Sequence, residues 1–381
     1  MNRGSRALLT VQLTCLLLGA RDARAQPFIG LGLLQGDTTS GAYGVSADGR
    51  VVAGVSGSAL PTGQPFRWTE LAGMQGLGLM PGAFFATCRA ISADGSTIVG
   101  GMVGSPSQAY RWTGDFEGLG GLVDGASSEA FGVSADGSVV VGVSSLTGGE
   151  AFRWTEGGVM EPLDFLSGGS FSTAQAVSAD GQVVVGYGTS SNTTGHADEA
   201  FRWTASDGML HSLGDLAGGA FNSRAFGVSP DGLVAVGESD SDRGFDAFRF
   251  TDSIQSLGDF DATAHAASGD GSRIVGEADF GLGHLDEAFV WDADHGLRRL
   301  ADVLSNELHA DLTGWYLGPA QGISADGNTV VGSGTHGDHT EAWLARLPEP
   351  AEAPLQAVVL TALAALRQLV TFARLRRLQV R

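Results

Sequence analysis

The phrase Ser-x-Asp-Gly occurs seven times, at Ser46, Ser92, Ser134, Ser178, Ser229, Ser268 and Ser324. Its aspartates, Asp48, Asp94, Asp136, Asp180, Asp231, Asp270 and Asp326, follow at intervals of 46, 42, 44, 51, 39 and 56 residues. Six positions after each Asp stands a glycine: Gly54, Gly100, Gly142, Gly186, Gly237, Gly276 and Gly332. Chance does not keep four positions in seven copies. The chain is therefore a stack of one supersecondary unit, and each unit buries its apolar face against its neighbours.

Each unit continues with an aromatic phrase. It runs from Pro65-Phe66-Arg67-Trp68 and Ala109-Tyr110-Arg111-Trp112 to the weaker Ala288-Phe289-Val290-Trp291 and Ala342-Trp343-Leu344-Ala345. Most units end on a Leu-Gly phrase such as Leu119-Gly120 or Leu213-Gly214. This order predicts four short strands. The first ends at the Ser, and Asp-Gly makes a tight turn with Gly in the left-handed position. The second is the β-branched run, such as Val139-Val140-Val141. Its glycine weakens a strand unless something packs closely over it, and the aromatic third strand fits that role. Phe and Trp two apart share one face there, with Arg on the other.

Four-stranded units at this period predict an all-β fold, a seven-bladed β-propeller. The seventh unit has no Leu-Gly strand after Trp343, while Ile29-Gly30-Leu31-Gly32-Leu33 stands spare before the first. Pairing the two would close the ring and hide its edges. The alternative is an open β-solenoid, which needs neither the spare strand nor the gap. A propeller also accommodates 381 residues, because its core is divided into thin layers between blades.

The two ends fall outside the repeats. Residues 1–25 read as a signal peptide: Arg3 and Arg6, an apolar run to Leu18, and Ala23-Arg24-Ala25 before Gln26. The apolar run is too short to span a membrane. Residues 348–381 combine Pro348-Glu349-Pro350, a mostly apolar stretch from Leu355 to Ala373, and terminal arginines. This order resembles the PEP-CTERM sorting signal, although Arg367-Gln368 interrupts the apolar stretch. The resemblance implies an exosortase-type sorting enzyme as partner and membrane contact only through this tail. A basic amphipathic helix on the membrane surface is the other reading. The domain between, 26–347, holds the repeats. The expected location is the cell surface or the extracellular space.

Charge narrows the partners. The chain has 22 basic and 42 acidic residues; removing residues 1–25 and 351–381, with nine Arg and two acids, leaves 13 − 40 = −27. Such a body repels a phosphate backbone, which excludes nucleic acid. With Cys15 in the leader, Cys88 is alone in the mature chain, so burial and not a disulfide must hold the fold.

The Ala-aromatic-x-Trp and Leu-Gly phrases, over residues 28–346, resemble the HAF-repeat family of extracellular proteins. That family is named for its repeat. The resemblance implies export and repeat architecture and supplies no substrate, cofactor or catalytic residue.

A Ser and an Asp needed identically in every unit are turn builders. Function belongs where the units differ, most visibly between the second and third strands. Three such loops carry acidic-histidine clusters: His196, Asp198 and Glu199; His284, Asp286 and Glu287; His336, Asp338, His339 and Glu341. Asp240, Asp242 and Asp246 lie in the unit between the first two. Residues from neighbouring loops could hold Zn²⁺ through imidazoles or Ca²⁺ through carboxylates. The plain alternative is a solvated acidic loop. The chain has no Gly-x-Ser-x-Gly elbow, phosphate loop or His-Glu-x-x-His motif. Trp315 and Tyr316, in the long insertion Leu300 to Gln321, could stack on a sugar or pack on the seventh unit. The expected function is a non-catalytic binding or scaffold protein for polysaccharide or a surface protein. A secreted hydrolase or lyase and a structural matrix component are the alternatives.

Overall fold

The computed structural model describes residues 26–59, 62–145, 148–195, 197–281 and 287–349. The leader, the tail beyond Glu349, and His196, His284 and Asp286 lie outside the described residues. Among the described residues the fold is all-β, with one short helical segment, Leu300–Asp302 continued by Val303–Glu307. Leu300, Val303 and Leu304 of that segment are buried in one core with Trp343 and Leu317. Among the described residues no helix is long and apolar enough to cross a membrane.

The third unit shows the plan. An inner strand, Ser127–Val133, pairs antiparallel with Val139–Ser145, then with Gly149–Thr155, then with the short outer strand Met160–Pro162. The expected turn joins the first two. Ser134 donates its hydroxyl to Asp136 Oδ1 at 2.7 Å, and that oxygen accepts the Ser138 amide. The Ser134 oxygen in turn accepts the Val139 amide. Gly137 takes φ +74, the left-handed region that favours glycine. Every polar group that repeats is thus consumed by the turn, which is why the phrase repeats.

The strand glycine has two reasons for its place. A Cβ on Gly54 would lie 2.0 Å from the Gly41 carbonyl oxygen and 2.6 Å from Phe66 Cζ. At Gly332 the same atoms are the Pro319 oxygen at 2.2 Å and the Trp343 ring at 2.5 Å. The aromatic strand covers the glycine as expected. The tighter limit, though, is the carbonyl of the inner strand.

Units are stitched to their neighbours at the turns. Ala47 donates its amide to the Ala93 carbonyl, Ala93 to Ala135, Ala135 to Ala179, and Ala179 to Pro230. Gly269 donates to Ala325, and Ala325 to Ala47. Proline has no amide hydrogen, so Pro230 has none to pass on. The arginine of the aromatic phrase reaches the next turn as well: Arg67 to the Gly95 carbonyl, Arg111 to Gly137, and Arg153 to Gly181. That explains why Arg lies on the face opposite Phe and Trp.

The last unit uses Trp315–Ile323, Thr329–His336 and His339–Arg346, and its fourth strand is Phe28–Gly32. Phe28 faces Ala345, Ile29 faces Leu344 and Gly30 faces Trp343. The spare strand at the start of the repeats therefore fills the gap at their end.

Candidate functional site

The inner strands of all seven units line one cavity of about 430 Å³. In six of them the ladder shifts register at the same place, between Ala42 and Gly44, Ala130 and Gly132, Ala174 and Ala176, Ala225 and Gly227, Ala264 and Ala266, and Ala320 and Gly322. In the second unit the inner strand is split instead, into Ala83–Ala86 and Ala90–Ile91. A bulge adds an unpaired residue and re-aims its side chain. The residue so presented is Tyr43, Phe131, Gln175, Phe226, His265 or Gln321, with Arg89 at the split, and each lines the cavity. The next residues are Gly or Ala and then Val, Ile or Ala, which continue the cavity wall toward the linked turns.

Beside these inner strands lie charged pairs that join them to one another, to the second strands and to the loops that follow. Arg89 Nε is 2.9 Å from Glu129 Oε1, and Arg89 lies over the Phe131 ring at 5.5 Å. Thr87 donates its hydroxyl to the same Glu129 oxygen. Arg224 Nε is 2.8 Å from Asp198 Oδ2, and its Nη1 is 3.3 Å from Glu238 Oε1. Thr263 donates to Glu238 Oε2 at 2.7 Å. The Arg224 guanidinium lies 5.4 Å from the Tyr187 ring centre. Burial alone would lower its pKa, but Asp198 and Glu238 more than offset this and hold it up. Tyr187 meets Phe226 edge-on at 5.9 Å, and Phe226 meets His265 at 6.0 Å. His265 Nε2 is 3.4 Å from Glu277 Oε1. Burial pushes the Tyr43 hydroxyl up to about 12, so it stays protonated as a donor. The cavity wall itself thus carries aromatic faces, two amides, Arg89 and His265, and the carboxylates stand behind it, against Arg89, His265 and the Arg224 that Tyr187 covers.

Most of the described residues singled out as metal ligands are engaged by partners of their own. Asp198 is held by Arg224. Glu199 accepts from Asn192 Nδ2 and from the Ser212 hydroxyl, and Glu287 is held by Arg299. His336, His339 and Glu341 do come together, their ligand atoms within 4.8 Å of one another, with Asp338 at the edge. Asp246 is bound by Arg243 and the Ser256 hydroxyl. Glu199, Asp246, Glu287 and Glu341 share one position in the repeat, just before the Ala-aromatic phrase. Elsewhere it is Glu150, or Gln108, whose side chain accepts the Gly120 amide, or Gln64, which accepts the Gly78 amide. The position ties the outer strand or the chain leaving it to the aromatic strand, so most of the acidic clustering is architectural. Trp315 packs: it meets Phe28 edge-on at 5.0 Å and stacks on His336 at 4.4 Å.

The cavity residues escaped the sequence reading because they sit inside the repeat. The signal was there in Ala-Tyr-Gly-Val, Cys-Arg-Ala-Ile, Ala-Gln-Ala-Val and Ala-His-Ala-Ala. One position changes chemistry between neighbours that hardly change.

No family model matches the chain, and no curated protein matches it. Solved structures do. An oligogalacturonate lyase from Vibrio parahaemolyticus superposes with a TM-score of 0.56 at 12% identity, covering 86% of this chain and 95% of its own. An oligogalacturonate lyase in complex with manganese gives 0.52 at 13% identity, covering 81% and 88%. A putative TolB from Agrobacterium tumefaciens gives 0.45 at 16% identity, covering 72% and 94%. At such identities the first two establish a shared fold, all-β and propeller-like.

Proposed function

We propose that this chain is a non-catalytic saccharide-binding protein of the HAF-repeat type. Its scaffold in this reading is a seven-bladed propeller closed by the N-terminal strand, and the ligand enters the central cavity. The observation that carries the reading is the bulge. It turns the one chemically variable residue of each inner strand into a common cavity, among aromatic faces and paired arginines. Aromatic rings pack on sugar faces, and fixed ion pairs offer oriented donors and acceptors to hydroxyls. The name oligogalacturonate lyase, borne by two structures of this fold, adds a saccharide to the case. The carboxylates beside the cavity, Glu129, Asp198 and Glu238, are each engaged by an arginine, which favours binding over proton transfer. Closure into a ring, as against an open solenoid, is supported by the pairing of Phe28–Gly32 with the last hairpin and by the chain of turn contacts that returns to Ala47. Export through the leader, sorting by an exosortase-type enzyme and residence at the cell surface complete the reading.

Calorimetric titration with oligogalacturonate and with neutral oligosaccharides tests it. Binding that is lost in Tyr187→Ala and Phe226→Ala supports the cavity as the site. Absence of binding to every saccharide overturns it, and the appearance of unsaturated products replaces binding by cleavage.

A further inference from the structure

We infer that His336, His339 and Glu341 form a divalent transition-metal site, for an ion of the zinc class, where the N-terminal strand meets the last hairpin. The site is separate from the saccharide cavity and does not depend on it.

All three donors come from one hairpin. His336 ends one strand, His339 begins the next, and the two residues face each other across the Gly337-Asp338 turn. Glu341 is two residues beyond His339, hence on the same face. Its Oε2 lies 2.7 Å from His336 Nδ1 and 3.3 Å from His339 Nε2. Ligands bound tetrahedrally at about 2.0–2.1 Å stand about 3.3 Å apart. The second contact already has that span, and the first has to open by about 0.6 Å as its proton gives way to the ion.

The site is also held in advance. Glu341 Oε1 accepts the Gly32 amide at 2.9 Å, which leaves Oε2 for the metal. His336 lies flat on Trp315, with 9° between the rings. Such supporting contacts fix ligand orientation and strengthen binding. Two imidazoles with one carboxylate suit zinc, cobalt or copper and not calcium, which takes six or more oxygens. The side chains of His336 and His339 are 42% and 34% exposed, so a water can enter the fourth position. Because Glu341 also holds Gly32, the ion would fasten the first strand to the last and stabilise the fold by mass action.

The test uses the full chain, stripped with EDTA and dialysed, then titrated with Co²⁺ alone and competed with Zn²⁺ alone. The expected result is visible cobalt absorption that saturates at one equivalent, disappears with Zn²⁺, and accompanies a rise in Tm. The double variant His336→Ala/His339→Ala should lose both responses while its metal-free Tm stays close to the parent's. His339→Gln, which keeps bulk and polarity, should weaken cobalt binding as well and guards against a folding defect. Neither absorption nor a Tm rise in the parent overturns the proposal. So does an unchanged response in the double variant.

Discussion

Gly32 donates its amide to Glu341 Oε1 at 2.9 Å across 309 positions of sequence. One carboxylate thus holds the first strand against the last hairpin. It does there what Gln64 and Gln108 do within their own units. The contact requires a close approach, and Gly30 supplies it. A Cβ at Gly30 would lie 2.7 Å from Glu341 Oε1 and 2.7 Å from Trp315 Cζ2. Gly30→Ala should therefore cost about 1–3 kcal/mol, the usual range for overpacking. Urea unfolding would show it as a lower midpoint at unchanged slope. A midpoint equal to the parent's would mean that the seam is looser than its geometry.

The repeated turn makes stability depend on acid. The Ser138 amide and the Ser134 and Ser138 hydroxyls bond the Asp136 carboxylate and hold its pKa down to about 2, against an ordinary 3.8. Asp48, Asp94, Asp180 and Asp270 shift in the same direction, each with hydrogen bonds from its own turn. A carboxyl with a depressed native pKa contributes its full share above the unfolded value and loses it as pH falls toward the native value. Stability should thus drop between about pH 4 and pH 2, with several turns contributing together. The urea midpoint measured from pH 7 to pH 2.5 checks this. Asp136→Asn should flatten the slope by one turn's share, and an identical slope would refute the assignment.

Arg224 neutralises Asp198 and Glu238, whose side chains are only 10% and 13% exposed. Arg224→Met keeps most of the stem and leaves two nearby carboxylates without their cation. The cost should be about 2 kcal/mol at pH 7, between the ~0–1 of exposed pairs and the ~3–5 of fully buried ones. Thermal unfolding of Arg224→Met beside Arg224→Lys, which keeps a charge on a similar stem, separates this from simple loss of packing: equal losses in the two variants would mean that the charge is not what matters.

Much of the architecture was legible because a run of like units repeats its constraints. Ser134, Asp136 and Gly137 are needed by the turn, Gly142 by the carbonyl above it, and each need recurs with the same spacing. The spare strand at Ile29 was legible by counting. The site was not. Acid before Ala-aromatic looked like ligand chemistry at Glu199 and Glu287, yet these side chains answer Ser212 and Arg299 inside their own units. Among the described residues, only His336, His339 and Glu341 sit on a hairpin tight enough to meet. Tyr43, Phe131 and His265 were hidden for the opposite reason. Alternation along a regular strand does not single them out, and only the bulge, which leaves no mark of its own in the sequence, gives them a common cavity.

Cys88 offers a reporter of that architecture. It is 1% exposed, packed with Tyr110, Met102 and Ile98 where the second unit meets the first. Burial pushes its thiol up to about 12. Thiolate is the reactive form and burial suppresses it, and access is closed as well. Native protein treated with iodoacetamide at pH 8 should therefore show no carbamidomethyl group on the peptide containing Cys88. Labelling should appear through the urea transition, with the same midpoint as the loss of tryptophan fluorescence. Labelling that precedes that transition would mean that the second unit opens by itself, and would count against the interlocked turns from Ala47 through Ala93 to Ala135 as a single cooperative structure.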